Sequence, residues 1–413
     1  MRKHAALYGW LVSEAVSLTG TRISMLAIPW FVLTTTGSST RTGITAFAEM
    51  APYVVAKAAS GPWVDRLGAK RVCVAGDVVS IAAVGLIPIL HAAGLLSFPL
   101  LVALVATAGA VRGPSDGARQ ALVPTIVSAA AVPMERATGL SGAIERLAST
   151  IGAAFAGVLI ALIGPAPAIL VDAASFAFSA VLLAVTAPRS APRARADQSS
   201  SYRAELRAGW RFLRGDAVLV SMVSMIAVTN LLDAAYASVL VPVWAKSSGG
   251  GAAAMGVLFA VFSGAAVLGS VIAAAYASRL PRFTTYAVAF LVGGLPRFVV
   301  LAVHAPLAVV LAVAVLGGFA AGFINPILGA VLYERIPAEL MGRVTALNSS
   351  LCWAGIPIGG LVGGLLVTAA GLSPALLAAG ALYFGATLLP VLNRQWRQID
   401  RHPTPVEPSL ASL

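Results

Sequence analysis

The chain has 413 residues, of which 59% are hydrophobic and only 11% charged, whereas soluble domains carry roughly 25% charged residues; polar side chains cannot coat two or three water-exposed domains of this length. The formal charge of +12 sits in short segments between apolar runs rather than on a basic face interleaved with aromatics, which excludes nucleic acid as the expected partner. Mean hydropathy of +0.89, carried by continuous rather than alternating apolar runs, predicts an all-α membrane protein and excludes a β-barrel.

In chain order, runs near the roughly 20 residues needed to cross a bilayer fall at 7–34, 43–64, 72–91, 97–113, 138–163 and 167–187, then at 217–244, 253–278, 284–304, 307–332, 344–369 and 375–392. Twelve transmembrane helices are therefore expected. The first run carries Glu14 and Arg22 and lacks a small-residue cleavage site, so it reads as an uncleaved helix rather than a signal peptide. The stretch 188–216 holds seven arginines against three acids and divides the chain. The expected domains are an N-terminal six-helix bundle (1–187), a basic linker (188–216), a C-terminal six-helix bundle (217–393) and a tail (394–413).

Lysines and arginines fall almost wholly on one side of these runs, with Arg41 and Lys246 on the other. By the positive-inside rule both termini and the linker are expected in the cytoplasm, and the protein in the cell membrane. Cys73 and Cys352 lie in or beside apolar runs, which excludes a disulfide framework and a cysteine metal site. No metal-ligand cluster or phosphate-cradling loop is present, so no cofactor is expected and an ATP-driven pump is excluded.

The two halves repeat. At an offset of 213 residues Pro29 lies over Pro242 and Pro124 over Pro337; at 207 residues Gly152 lies over Gly359 and Gly157 over Gly364. Offsets near half the chain length predict two pseudo-symmetric bundles.

Ionisable groups within spans cost roughly 2.5–3.5 kcal/mol each on insertion scales, so each is a functional candidate. These are Glu14, Arg22, Glu49, Lys57, Asp77, Asp172, Asp233 and Arg297. In antiparallel neighbours, residues at equal depth have numbers that sum to a constant. Glu14 with Lys57 and Arg22 with Glu49 both sum to 71, which predicts two ion-pair rungs between the first two helices. Asp77 is expected as a fixed partner of Lys57 or of the adjacent loop, and Asp172 as a water-exposed group near the outer end of the sixth helix. Asp233 is expected near the midplane of the seventh helix, with Arg297 of the ninth as its partner.

GPWVDRLGAKR at 61–71 resembles the G-x-x-x-D-R-x-G-x-R/K-R/K loop of the major facilitator superfamily. SLTGTRISMLAIPWFVL in the first helix, ARQALVP after the fourth and ILVDAASFAFSAVLL in the sixth are similar to its drug:proton antiporter branch, which includes macrolide and siderophore exporters. Ala69 departs from the usual basic residue, and Ser278 replaces the acid in the second-half copy. The resemblance implies the major facilitator fold and a cytoplasmic gating loop of Gly61, Asp65, Arg66, Gly68, Lys70 and Arg71. An anion there is favoured by an opposing helix N-terminus, and Arg112 and Arg119 at the end of the fourth helix are expected partners. The function implied is proton-coupled efflux of an amphipathic small molecule by a monomeric carrier working by alternating access, its partners being that solute, protons and the bilayer. A lipid or lysophospholipid flippase of the same fold is the alternative, and a membrane-embedded transferase a more distant one.

Overall fold

The computed structural model describes residues 2–188, 202–276, 280–337 and 340–392. Among them every regular element is helical.

The first half opens with α1 (Arg2–Thr36) and α2 (Ser39–Ala59). Ser38 starts α2, its side chain accepting from the Arg41 amide, as helix N-caps do. A short α3 (Gly61–Leu67) leads through Gly68 into α4 (Ala69–Ala92), so the motif expected as a loop is helical at every residue but Gly68. Gly68 has φ +85°, a setting that a Cβ would strain, and it lets α4 begin directly where α3 stops. Then follow α5 (Phe98–Ala130), α6 (Met134–Ile163) and α7 (Pro165–Thr186).

α5 runs far beyond the expected 97–113. Its RGPSDGARQ stretch reads as a helix end, yet the polar side chains there are received inside the protein. Asp116 accepts from Tyr53, and Arg119 pairs with Asp77. The hydrogen bond lost at Pro114 is of a kind that membrane helices tolerate. Arg112 and Arg119 therefore sit in mid-helix, a correction to their expected place at a helix end.

The second half contains α8 (Tyr202–Gly215), α9 (Ala217–Ala235), a π turn at Tyr236–Leu240 and α10 (Val241–Ser247). It continues with α11 (Gly251–Tyr276), α12 (Arg282–Gly293), α13 (Leu295–Ala302), α14 (Leu307–Ala321) and α15 (Ile324–Arg335). α16 (Met341–Ala354), α17 (Ile356–Ala370) and α18 (Leu372–Leu392) complete it. Three runs expected to be whole are broken, at Gly294, Gly322–Phe323 and Gly355, and a fourth is distorted by the π turn. Pro242, Pro296, Pro326 and Pro357 explain the breaks. Each lacks an amide hydrogen, so it fits a first turn better than a helix interior.

Among the described residues, ten helical stretches are long and apolar enough to cross a bilayer. α2, which carries Arg41, Glu49 and Lys57, and α18, whose apolar part is the shorter Leu372–Leu388, stand outside that set. The exposed surface is rich in large apolar side chains, with Leu162 and Val185 each more than three-quarters exposed, a surface suited to lipid rather than water.

α1 packs chiefly on α6 and α7, and α2 on α5 and α17. Two seams join the halves, α2 against α17 and α6 against α11. A Cβ on Gly157 would stand 2.5 Å from the Gly256 Cα, so these backbones touch. At the same end Lys246 Nζ donates to the Leu33 carbonyl at 2.9 Å, and the Thr40 and Thr368 hydroxyls meet at 2.7 Å. Gly164 and Gly371, 207 residues apart, both have φ +86° and precede α7 and α18. Gly152 packs on Arg22 of α1, and Gly359 on Leu231 of α9.

Candidate functional site

Three adjoining spaces lie between and within the halves. The first, about 340 Å³, is lined by Glu14, Arg22, Lys57, Arg112, Asp116 and Glu145, with Met25, Met50, Tyr53 and Trp353 as its soft walls. A middle space of about 240 Å³ shares Arg22, Met25, Met50 and Ile356 with the first and adds Glu49. The third, about 430 Å³, shares Ala237, Phe259 and Ser263 with the middle one and reaches Asp233, Arg297, Asn230, Asn325 and Tyr383. The three spaces thus adjoin from half to half through shared lining residues, the middle one mostly apolar with Arg22 and Glu49 as its charged groups.

The sequence-expected rungs share these spaces without touching, and both pairings are corrected. Glu14 accepts from Ser141 of α6 at 2.9 Å at both carboxylate oxygens. Lys57 donates to Tyr53 at 3.0 Å and lies 5.0 Å from the Trp353 ring centre. Arg22 turns toward Met25 Sδ, and Glu49 is in neither of the expected ion pairs. The reason is packing. α1 and α2 contact each other far less than they contact α7 and α5, so equal depth does not become a shared face.

Asp77 is also reassigned. It is buried, and Arg119 Nη2 donates to both of its oxygens at 2.8 Å. Ser179 of α7 donates to Asp77 at 2.7 Å and accepts from Arg119 at 2.8 Å. The network ties α4, α5 and α7 together. Arg119 therefore has a partner within the bundle, while the side chain of Asp65 lies outside the described residues. Asp172 is corrected too. It is buried, not water-exposed, and accepts from Ser175 at 3.2 Å.

The Asp233–Arg297 pair is present. Arg297 also lies between rings, with Tyr236 at 4.8 Å and Phe298 and Tyr383 each at 5.0 Å, an arrangement that favours a planar cation. Its Nε is buried and has no hydrogen-bond partner among the described residues, leaving a donor beside the third space. Of the gating residues, Lys70 Nζ donates to the Ala184 and Ala187 carbonyls at the end of α7. Gly61, Arg66 and Arg71 are exposed.

Sequence reading missed Tyr53, Asp116 and Glu145. Lys57 donates to Tyr53, which donates to Asp116 at 3.0 Å, a chain linking α2 and α5. Its signal was the four-residue spacing of Tyr53–Lys57 and Arg112–Asp116, one helical turn each. The first space carries four acids (Glu14, Asp77, Asp116, Glu145) and four bases (Arg22, Lys57, Arg112, Arg119), so neither sign of solute is favoured by count.

The sequence matches the family described as transmembrane secretion effector over residues 2–408. It is 28% identical over 397 residues to the multidrug efflux pump Tap of Mycobacterium tuberculosis, covering 95% of this chain and 94% of that one. Against Tap of Mycolicibacterium fortuitum the identity is 29%, covering 92% and 94%. The fold is that of the nucleoside transporter NupG, with a TM-score of 0.72, 14% identity and coverage of 93% and 98%. A bacterial homolog of the human lysosomal transporter Spinster, inward-facing and unoccupied, gives 0.71 at 13% identity, covering 98% and 99%. With a match spanning nearly every residue and a fold shared with solved carriers, the chain belongs to the transmembrane secretion effector family of the major facilitator superfamily, and is a membrane transporter rather than an enzyme.

Proposed function

We propose that this transporter exports amphipathic small organic molecules in exchange for protons by alternating access. The observation that carries the reading is the row of adjoining spaces within and between the halves, lined by carboxylates, bases, methionines and aromatics, and closed at one end by the α2–α17 and α6–α11 seams. Methionine and aromatic walls accommodate varied apolar shapes, and balanced charge accommodates polar ends of either sign. The relatives named multidrug efflux pumps support the same direction of transport. Proton exchange requires carboxylates whose surroundings change between states, and Glu14, Glu49, Asp116 and Asp233 line these spaces.

In this reading α2 and α18 join the ten apolar stretches to make twelve spans, arranged as bundles 1–187 and 217–393. Both termini, the linker 188–216 and the tail face the cytoplasm, and the carrier works as a monomer. Asp65 serves as the latch of the cytoplasmic face. A cysteine at Gly94, in the exposed turn between α4 and α5, should react with an impermeant maleimide in intact cells, and one at Arg66 only after permeabilisation. Native Cys73 and Cys352 are buried, so the background should be low. The reverse pattern would invert the topology.

Inside-out vesicles carrying the protein should accumulate ethidium when their lumen is acidic. The accumulated dye should leave on addition of nigericin. Uptake equal to that of vesicles lacking the protein, across ethidium and a panel of zwitterionic and anionic dyes, would overturn the export reading. Movement of a fluorescent lysophospholipid alone would favour the flippase.

A further inference from the structure

We propose that Glu49 and Asp172 form a proton relay running from the central space into the first half, with Ser24 holding the water between them. The proposal deepens the proton-driven reading above by naming the groups that carry the proton.

Asp77 and Asp172 are equally buried, each 2% exposed. Interiors keep carboxylates by supplying a base or a proton. Asp77 has a base in contact. Asp172 has the Ser175 hydroxyl at 3.2 Å and, among the described residues, no basic side chain in ion-pair contact. Beside it lies a void of about 20 Å³ lined by Ser24, Glu49, Tyr53, Ser80 and Arg112. That volume admits a single water, and the lining is polar enough to hold one. Ser24 is 5% exposed, and its hydroxyl lies close enough to act on Asp172 without making a hydrogen bond of full geometry, so it stands between that carboxylate and the void.

Glu49 lines both this void and the middle space between the halves, and so stands between them. Its position is fixed from behind. A Cβ on Gly109 of α5 would come 2.0 Å from the Glu49 carbonyl oxygen, and one on Gly20 of α1 would come 2.6 Å from Asp172 Oδ1. The groups facing the pair are Tyr53 from α2, Asp77 from α4 and Arg112 from α5, with Arg22 of α1 on the far side of Glu49. Arg112 acts on both carboxylates.

The step balances. Hydronium in the central space gives a proton to the Glu49 carboxylate and becomes water. The Glu49 acid passes its proton to the water of the void as that water passes one to the Asp172 carboxylate. Glu49 returns to carboxylate, Asp172 is left neutral, and the net change is one proton moved inward. Reversal from the other open state returns it.

The test needs no solute, so its failure is separate from failure of the export reading. Infrared spectra of the full-length protein in phosphatidylcholine bilayers are followed after a pH step. The expected result is a carboxylic-acid C=O band that rises with acidification, is lost in Asp172→Asn and is shifted in Asp172→Glu. In Glu49→Gln the band should form more slowly by roughly 100-fold, the scale of a lost general acid–base step, and Ser24→Ala should slow it in the same direction. If Asp172→Asn does not fold, the Glu49→Gln, Ser24→Ala and Asp172→Glu arms decide. A band unchanged in the Asp172 variants, an unchanged rate in Glu49→Gln, or abolition of the band when NaCl replaces KCl would each overturn the relay, the last in favour of a sodium site.

Discussion

Asp77→Ala should lower the stability of the folded carrier by about 3–5 kcal/mol, because it strands Arg119 in the interior with a single hydroxyl for company. Arg119 is 8% exposed and borders the first space, but among the described residues Asp77 is its ion-pair partner, and no other acid is in contact to replace the lost carboxylate. Net stabilities are about 5–15 kcal/mol, which makes this a large fraction of the total. The purified variant in detergent should show a clearly lower melting temperature and reduced yield. Asp77→Asn with Arg119→Met removes the charge from both sides and should recover most of the loss, since no ion is then buried alone. An unshifted melting temperature in Asp77→Ala would mean that the α4–α5–α7 network does not hold the bundle together.

Gly256→Val should open the seam between α6 and α11. A Cβ there would meet the Gly157 Cα at 2.3 Å and its nitrogen at 2.9 Å, and backbone cannot step aside as a side chain can. Overpacking of this kind costs about 1–3 kcal/mol, which moves a two-state equilibrium roughly 5–150-fold. The helices keep their other partners, α1 for α6 and α14 for α11, so the variant should express. The closed end seen here should become scarce, and pH-driven dye uptake should fall in step. Spin labels at Leu162 and Ala253, both exposed near the contact, would report a longer and broader distance distribution than in the native background. Identical distributions would show that the glycine contact does not set the closed state.

Depth was legible in the sequence, and facing was not. The sum rule correctly put Arg22 and Glu49 beside one space, and Glu14 and Lys57 beside another. It could not say that α1 turns toward α6 and α7 while α2 turns toward α5 and α17, since apolar residues surround membrane helices on all sides and leave no amphipathic stripe to read. The Asp233–Arg297 pair was found because the second half offers one acid and one base at that depth. Asp77–Arg119 was missed because the Gly-Pro pair at 113–114 reads as the end of the helix, which put Arg119 at its rim beside the gating loop instead of inside the bundle. Asp172 was misjudged for a related reason. A boundary uncertain by a few residues decides whether a group lies at a rim or in a core, and the Gly20 notch that receives it belongs to a different helix.

The breaks in the second half have a consequence for selectivity. The π turn, Gly294, Gly322–Phe323 and Gly355 lie beside residues that line the central space, among them Tyr236, Gly293, Ile324 and Ile356. At each one the regular ladder of amide-to-carbonyl bonds is shifted or interrupted. Some of the peptide groups there are held by side chains, the Gly322 carbonyl by Ser270 and the Cys352 carbonyl by Asn230, and main-chain groups left over at such depth need water or solute as partners. A transported molecule can then be held by main-chain polarity whatever its own functional groups, so no single substitution in the second half should abolish tolerance for chemically unrelated cargo. Narrow specificity would have to be engineered by restoring helix continuity, not by exchanging residues along the wall.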